Sequence, residues 1–227
     1  MLDRLVSQKT KLNVYFSLNF VATSLASIIS LRAAFYFGTY IFLIWFYSHK
    51  LKKYPFIGNI TATLLAILPF FAILLYFYLN MPFDEIEHYK IILAVIFNHA
   101  AFLFLLLLIR EIIKDLENIK GDLSNGYKTI PIIYGEIIAK RTITLLCFLT
   151  VIPVYFLVEI YDVCYMDIYF YFCLIVQIFF LIYLWKSNKK EQFLLLHNVL
   201  KVTIVAGVFS IVLINPSVLL HWKNLLI

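Results

Sequence analysis

Apolar residues gather along this chain into runs at roughly 13–30, 33–48, 59–80, 90–110, 142–160, 166–185 and 200–216. A bilayer core about 30 Å thick is crossed by about twenty helical residues. The pattern therefore predicts an all-α, multi-pass membrane helix bundle of about seven transmembrane helices. The second run is short, and Pro69 and Pro153 fall inside runs, where they predict kinks. The segments between runs are charged. No internal repeat and no Pro/Gly-rich linker divides the chain, so residues 1–227 read as a single transmembrane domain.

Composition agrees with the pattern. The chain is 63% hydrophobic and only 14% charged, with a mean hydropathy of +0.93, which excludes an ordinary soluble domain. The 22 Phe and 16 Tyr suit lipid-facing and interfacial positions. Cys147, Cys164 and Cys173 show no metal or redox spacing and read as small hydrophobes. The polar, basic first dozen residues do not read as a cleavable signal peptide. With the N-terminus placed inside, sixteen of the 19 Lys and Arg residues fall on the inner side, and only Arg32, Lys90 and Lys223 fall outside. The positive-inside rule then predicts a cytoplasmic N-terminus, an external C-terminus and a cytoplasmic position for the most charged loops.

Two of those loops carry candidate chemistry. The run Arg110–Asp122 stands where an apolar helix reaches the membrane surface. On one continuous helix Glu111, Asp115, Asn118 and Asp122 form a single stripe. Like charges stacked in this way repel unless a cation lies between them, and oxygen-only ligands suit a hard ion such as Mg²⁺, held by one or two carboxylates plus phosphate oxygens. Taken alone, the run also reads as a solvated juxtamembrane turn. The other loop sets Lys50, Lys52 and Lys53 beside Tyr47, Ser48 and His49, ahead of Pro55, Gly58 and Asn59. Lysine ammonium groups bind phosphate as point charges, although any inner loop collects lysines. Gly121 and Gly126 predict that the helix stops near Asp122, which carries Lys128 back toward the same mouth. Acids, bases and hydroxyls together at a membrane face suit a diphosphate bridged through Mg²⁺.

The segment Arg110–Asp122, followed by Lys128-Thr-Ile-Pro131 and Tyr134-Gly135, resembles the second aspartate-rich motif of the UbiA superfamily of intramembrane prenyltransferases. The segment Tyr47–Asn59 resembles the loop that precedes the next helix of that family. The likeness is strongest to the geranylgeranylglycerol-phosphate geranylgeranyltransferase-like branch. It implies Mg²⁺-dependent transfer of a polyprenyl group from its diphosphate to a lipophilic acceptor within the bilayer, with no nucleic-acid partner. By the same resemblance Asp115 and Asp122 are catalytic acids, and Asp115, Asn118 and Asp122 hold the metal. Tyr47, Lys50, Lys52 and Lys128 bind the diphosphate. Asn118 stands where many relatives have an aspartate, and Glu117 points away from the stripe.

The family also has a first motif of the form Asn-Asp-x-x-Asp-x-x-x-Asp, which this sequence lacks. Its opening, Leu2–Lys9, resembles the stretch that follows that motif. The resemblance thus implies a bundle without its first two helices, through either a late-assigned start or genuine shortening, and little or no transfer by the 227-residue chain alone. A noncatalytic membrane assembly partner and a small transporter are the alternative classes. Transport sites place ionisable groups near the midplane, whereas here His99 and Gln177 are the notable polar residues inside the runs. His49, His88, His197 and His221 read as loop or interfacial bystanders. A glycerol-phosphate ether lipid, a quinone ring and another aromatic all remain open as acceptor.

Overall fold

The computed structural model describes residues 7–80 and 83–210, and every regular element in them is helical. The chain divides into two compact units, Met1–Leu51 and Lys52–Ile227.

The first unit is a helical pair, α1 (Gln8–Ile29) and α2 (Leu31–His49). Ser30 makes the turn. Its extended backbone halts α1, its N–H donates to the Ala26 carbonyl (3.1 Å), and its hydroxyl accepts from the Ala33 N–H (3.1 Å). One serine thus closes one helix and caps the next. α1 is long and apolar enough to cross a membrane. α2 spans only 19 residues, contains Arg32 and several tyrosines, and is not among the helices that qualify as spans. Six helices among the described residues therefore qualify as spans, not the seven expected, and α2 accounts for the difference.

The larger unit is built around α4 (Phe83–Glu117), which packs against α3 (Ile57–Asn80), α7 (Glu136–Leu149), α8 (Val151–Tyr155) and α10 (Lys190–Ser210). Its 35 residues extend about 52 Å, well beyond a hydrocarbon core about 30 Å thick. The part beyond Arg110 is therefore free to stand outside the apolar layer. Two short helices follow, α5 (Ile119–Ser124) and α6 (Ile130–Tyr134). α9 (Asp167–Lys186) then runs back toward α10. Ile109, Ile113, Ile143, Leu157, Phe170, Cys173 and Leu184 are completely buried and form the core where α4, α7, α9 and α10 meet. Apolar side chains on the other faces, such as Phe148, Phe179 and Phe209, stay exposed, as lipid contact requires.

The expected kinks differ in kind. α3 continues through Pro69 as a single helix. The run at 142–160 is broken instead: α7 ends at Leu149, α8 contains Pro153, and a π-helical turn follows at Phe156–Ile160. Proline has no N–H and crowds the carbonyl four residues back, which here is Leu149, the last residue of α7. The last run also starts earlier than expected, because α10 begins at Lys190. Residues 211–216 of that run lie outside the described part.

Candidate active site

Six contacts gather the polar loops of the larger unit at one end of α4. Asn59, in the first turn of α3, donates from Nδ2 to Asp115 Oδ2 (2.7 Å) near the end of α4. The Lys128 N–H donates to the Lys53 carbonyl (2.9 Å), which joins the chain before α3 to the chain after α5. His197 Nδ1 lies 2.8 Å from Glu117 Oε2 and draws α10 to the same end. Buried Lys140 on α7 pairs with Glu136 (2.7 Å) and donates to the Ser187 carbonyl and to Asn188 Oδ1, which fixes the turn between α9 and α10.

The predicted acid stripe is interrupted. α4 stops at Glu117, and Asn118 leaves helical geometry (φ −113°, ψ 23°) before α5 resumes at Ile119. The break is confined to one residue, because the Asn118 N–H still reaches the Lys114 carbonyl and the Asp122 N–H reaches that of Asn118. The helix does stop close to Asp122, with α5 ending at Ser124 and Gly121 lying within it. A side chain there would meet the Asn118 amide at 2.5 Å, so the glycine leaves the room in which Asn118 turns back to donate to Asp122 Oδ1 (3.0 Å). The left-handed turn falls at Gly126 (φ 68°).

Each predicted acid has its own surroundings. Glu111 is bracketed by Arg110 (3.2 Å) and Lys114 (2.8 Å) and is thereby neutralised. Asp115 is half-buried, bonded to Asn59, and close enough to Asp122 to feel its charge. Asp122 is buried. That burial pushes its carboxyl above the usual carboxylate range, against the opposing pull of the Asn118 amide and the nearby Lys52 and Lys114 charges. Glu117 faces α10, away from Asp115, and bonds to His197. His197 is therefore not the bystander expected from sequence but a buried residue tying two helices together.

Lys52 is exposed and sits over the Tyr127 ring, 5.0 Å from its centroid. The Lys128 side chain is exposed, and its backbone makes the inter-loop bond. Tyr47 and Lys50 belong to the first unit, at the end of α2, where Tyr47 is half-buried and Lys50 exposed. Within the larger unit the structure brings together Lys52, Asp115, Asn118 and Asp122. Sequence reasoning missed Asn59 and Tyr127. Each lies in a segment already singled out, but neither has a charge to mark it.

Among the described residues no group of three or more His, Cys, Asp or Glu converges as a metal cage. The donor set nevertheless fits Mg²⁺, which is commonly held by one or two carboxylates together with substrate phosphates. The Asn59 and Asn118 amides each occupy one oxygen of Asp115 and Asp122, leaving the second oxygen of each. A buried acid whose ionised form is disfavoured gains from a cation. His49 is exposed, with Nδ1 2.9 Å from the Trp45 carbonyl, and Cys147 and Cys173 are buried and free. The side chains of His88 and Cys164, and all of His221, lie outside the described residues.

A multi-pass helical membrane protein with an acid, amide and lysine cluster at one end of its bundle is the class these features define. The chain belongs to the UbiA prenyltransferase family, which it matches over residues 1–202. It is similar to the digeranylgeranylglyceryl phosphate synthase of Thermococcus sibiricus, with 40% identity over 121 residues, covering 52% of this chain and 38% of that protein. The synthase of the same name from Pyrococcus furiosus is 34% identical over 141 residues (62% and 46%), and that of Pyrococcus abyssi 33% over 153 residues (66% and 50%). The aligned region thus spans half or less of the length of these relatives. No solved structure matches the chain.

Proposed function

We propose that this chain contributes a diphosphate-binding site for intramembrane prenyl transfer, in which a polyprenyl group passes from its diphosphate to a lipophilic acceptor. The observation that carries this reading is the juxtaposition of Asp122 with Lys52 at one end of a helix bundle that is otherwise apolar. An anionic head with an isoprenoid tail matches both halves of that arrangement. The relatives' name points to geranylgeranyl as the group transferred and to a geranylgeranylated glyceryl phosphate as the acceptor. We place the charged end at the cytoplasmic face of the membrane, because Lys and Arg concentrate there.

In the proposed step the allylic C1–O bond breaks and its electron pair leaves with the diphosphate. The acceptor hydroxyl oxygen then bonds to C1 and releases its proton. Lys52 and Lys128 hold the non-bridging oxygens and stabilise the charge of the leaving group. Asn59 and Asn118 orient Asp115 and Asp122 through one oxygen each. Asp115, Asn118 and Asp122 are the residues that would hold Mg²⁺, which when bound supplies charge neutralisation for the diphosphate.

The test uses the full chain reconstituted in vesicles with labelled geranylgeranyl diphosphate. Binding is expected to require Mg²⁺ and to weaken tenfold or more in both Lys52→Ala and Asp122→Asn. Unchanged binding in both variants would place the site elsewhere.

A further inference from the structure

Lys52 presents a problem of geometry. It is exposed and carries one of the longest, most mobile side chains, yet phosphate recognition needs its ammonium at a fixed point. Asp122 lies near enough for the two charges to interact. Even so, among the described residues Lys52 forms no ion pair within 4.0 Å. What it does meet is the face of Tyr127, 5.0 Å from the ring centre.

The Tyr127 backbone is itself fixed from both sides. The Tyr127 N–H donates to the Asp122 carbonyl (2.9 Å), closing the turn that passes through Gly126. The next residue, Lys128, is pinned by its N–H to the Lys53 carbonyl. Tyr127 thus stands where the two loops that bring Lys52 and Asp122 together are joined, with its ring under Lys52. An aromatic face attracts a cation without carrying a full negative charge. It can therefore hold the ammonium in place without neutralising it, which a carboxylate in the same position would do.

We propose that Tyr127 is a positioning residue for Lys52, holding its ammonium at the mouth of the bundle so that it meets an incoming diphosphate already oriented. The use of that ammonium for diphosphate rests on the function proposed above, whereas the holding of Lys52 by Tyr127 does not. A cation–π contact at an exposed site is worth about 0.5–1 kcal/mol, which corresponds to about a two- to fivefold change in affinity.

The experiment has two arms, both on the full chain in vesicles. In the first, Lys52 acetylation by limiting acetic anhydride is followed by mass spectrometry in the absence of ligand. Tyr127→Leu is expected to raise Lys52 labelling relative to Lys50 and Lys53, while Tyr127→Phe, which keeps the ring, leaves it unchanged. In the second, geranylgeranyl diphosphate binding is expected to weaken about two- to fivefold in Tyr127→Leu. Tyr127→Phe should bind as the wild type does, and Tyr127→Leu should cause no further loss in a Lys52→Ala background. Equal Lys52 labelling in wild type and Tyr127→Leu, or an undiminished Tyr127→Leu effect without Lys52, overturns the positioning role. Raised Lys52 labelling in Tyr127→Leu, together with a wild-type chain that binds no geranylgeranyl diphosphate, upholds that role and overturns the diphosphate reading.

Discussion

Asn59 and Asp115 are 56 residues apart in sequence and 2.7 Å apart in space, through a bond that fastens the first turn of α3 to the last turns of α4. Asn59 is withdrawn from water to 7% exposure, and Asp115 is half-buried. A hydrogen bond to a charged group contributes about 1.5–3 kcal/mol, and leaving its buried partner unsatisfied costs more than the bond itself.

Asn59→Leu is accordingly expected to destabilise the folded chain by about 1.5–3 kcal/mol, read as a lower thermal midpoint in detergent. Asn59→Asp should be worse, since it sets a second carboxylate against Asp115. An Asn59→Leu chain that melts with the wild type would show that Asp115 is held by something else.

Gly121→Ala isolates the Asn118 contact from the fold. Alanine is otherwise favourable inside a helix, so the global melting temperature should stay near that of the wild type. Its Cβ would occupy the position of the Asn118 amide and break the bond to Asp122. Mg²⁺-dependent binding of geranylgeranyl diphosphate should fall several-fold. Wild-type binding in Gly121→Ala would remove Asn118 from the site.

The Asp122 carboxyl gives a pH dependence of definite sign. Its pKa is raised in the folded chain, chiefly by burial, so the folded state holds a proton that the unfolded state has already lost. Stability is therefore expected to fall as pH rises from the ordinary aspartate range through the raised value. Asp122→Asn should reduce that slope and raise the melting temperature at pH 7 while leaving it unchanged at low pH. This variant would gain stability and lose diphosphate binding together. A lower melting temperature at pH 7 would contradict the assigned cause.

His197 and Glu117 test the other side of α4. Their bond joins α4 to α10, and His197 is nearly inaccessible. His197→Leu is expected to cost about 1.5–3 kcal/mol, and His197→Leu with Glu117→Leu less than the sum of the two single changes. Strict additivity would mean that the two residues do not share an interaction.

Much of this organisation was legible in the chain itself. The apolar runs gave the helices because about twenty apolar residues leave a membrane-embedded segment no other way to satisfy its backbone. Charge supplied the location of Lys52, Asp115 and Asp122, since ionisable residues flanking a span stand out against it. Uncharged partners did not stand out. Asn59 and Tyr127 gain their importance from contacts between loops far apart in sequence, and no local periodicity encodes such contacts. The one-residue break at Asn118 was hidden as well, because Asp115 through Asp122 has the spacing of an unbroken helix. His197 was misjudged for a related reason. Its polarity suggested a loop, whereas Glu117 on another helix supplies its buried partner. The shortfall of α2 reflects Arg32 and its tyrosines, which a window of apolar residues passes over.

The central claim, that Lys52 and Asp122 act on one anionic head, is tested most directly by a double-mutant cycle on geranylgeranyl diphosphate binding with Mg²⁺ present. Lys52→Ala and Asp122→Asn should each weaken binding tenfold or more, and the double variant should lose far less than the product of the two. Independent, multiplying losses, or wild-type affinity in either single variant, would contradict it.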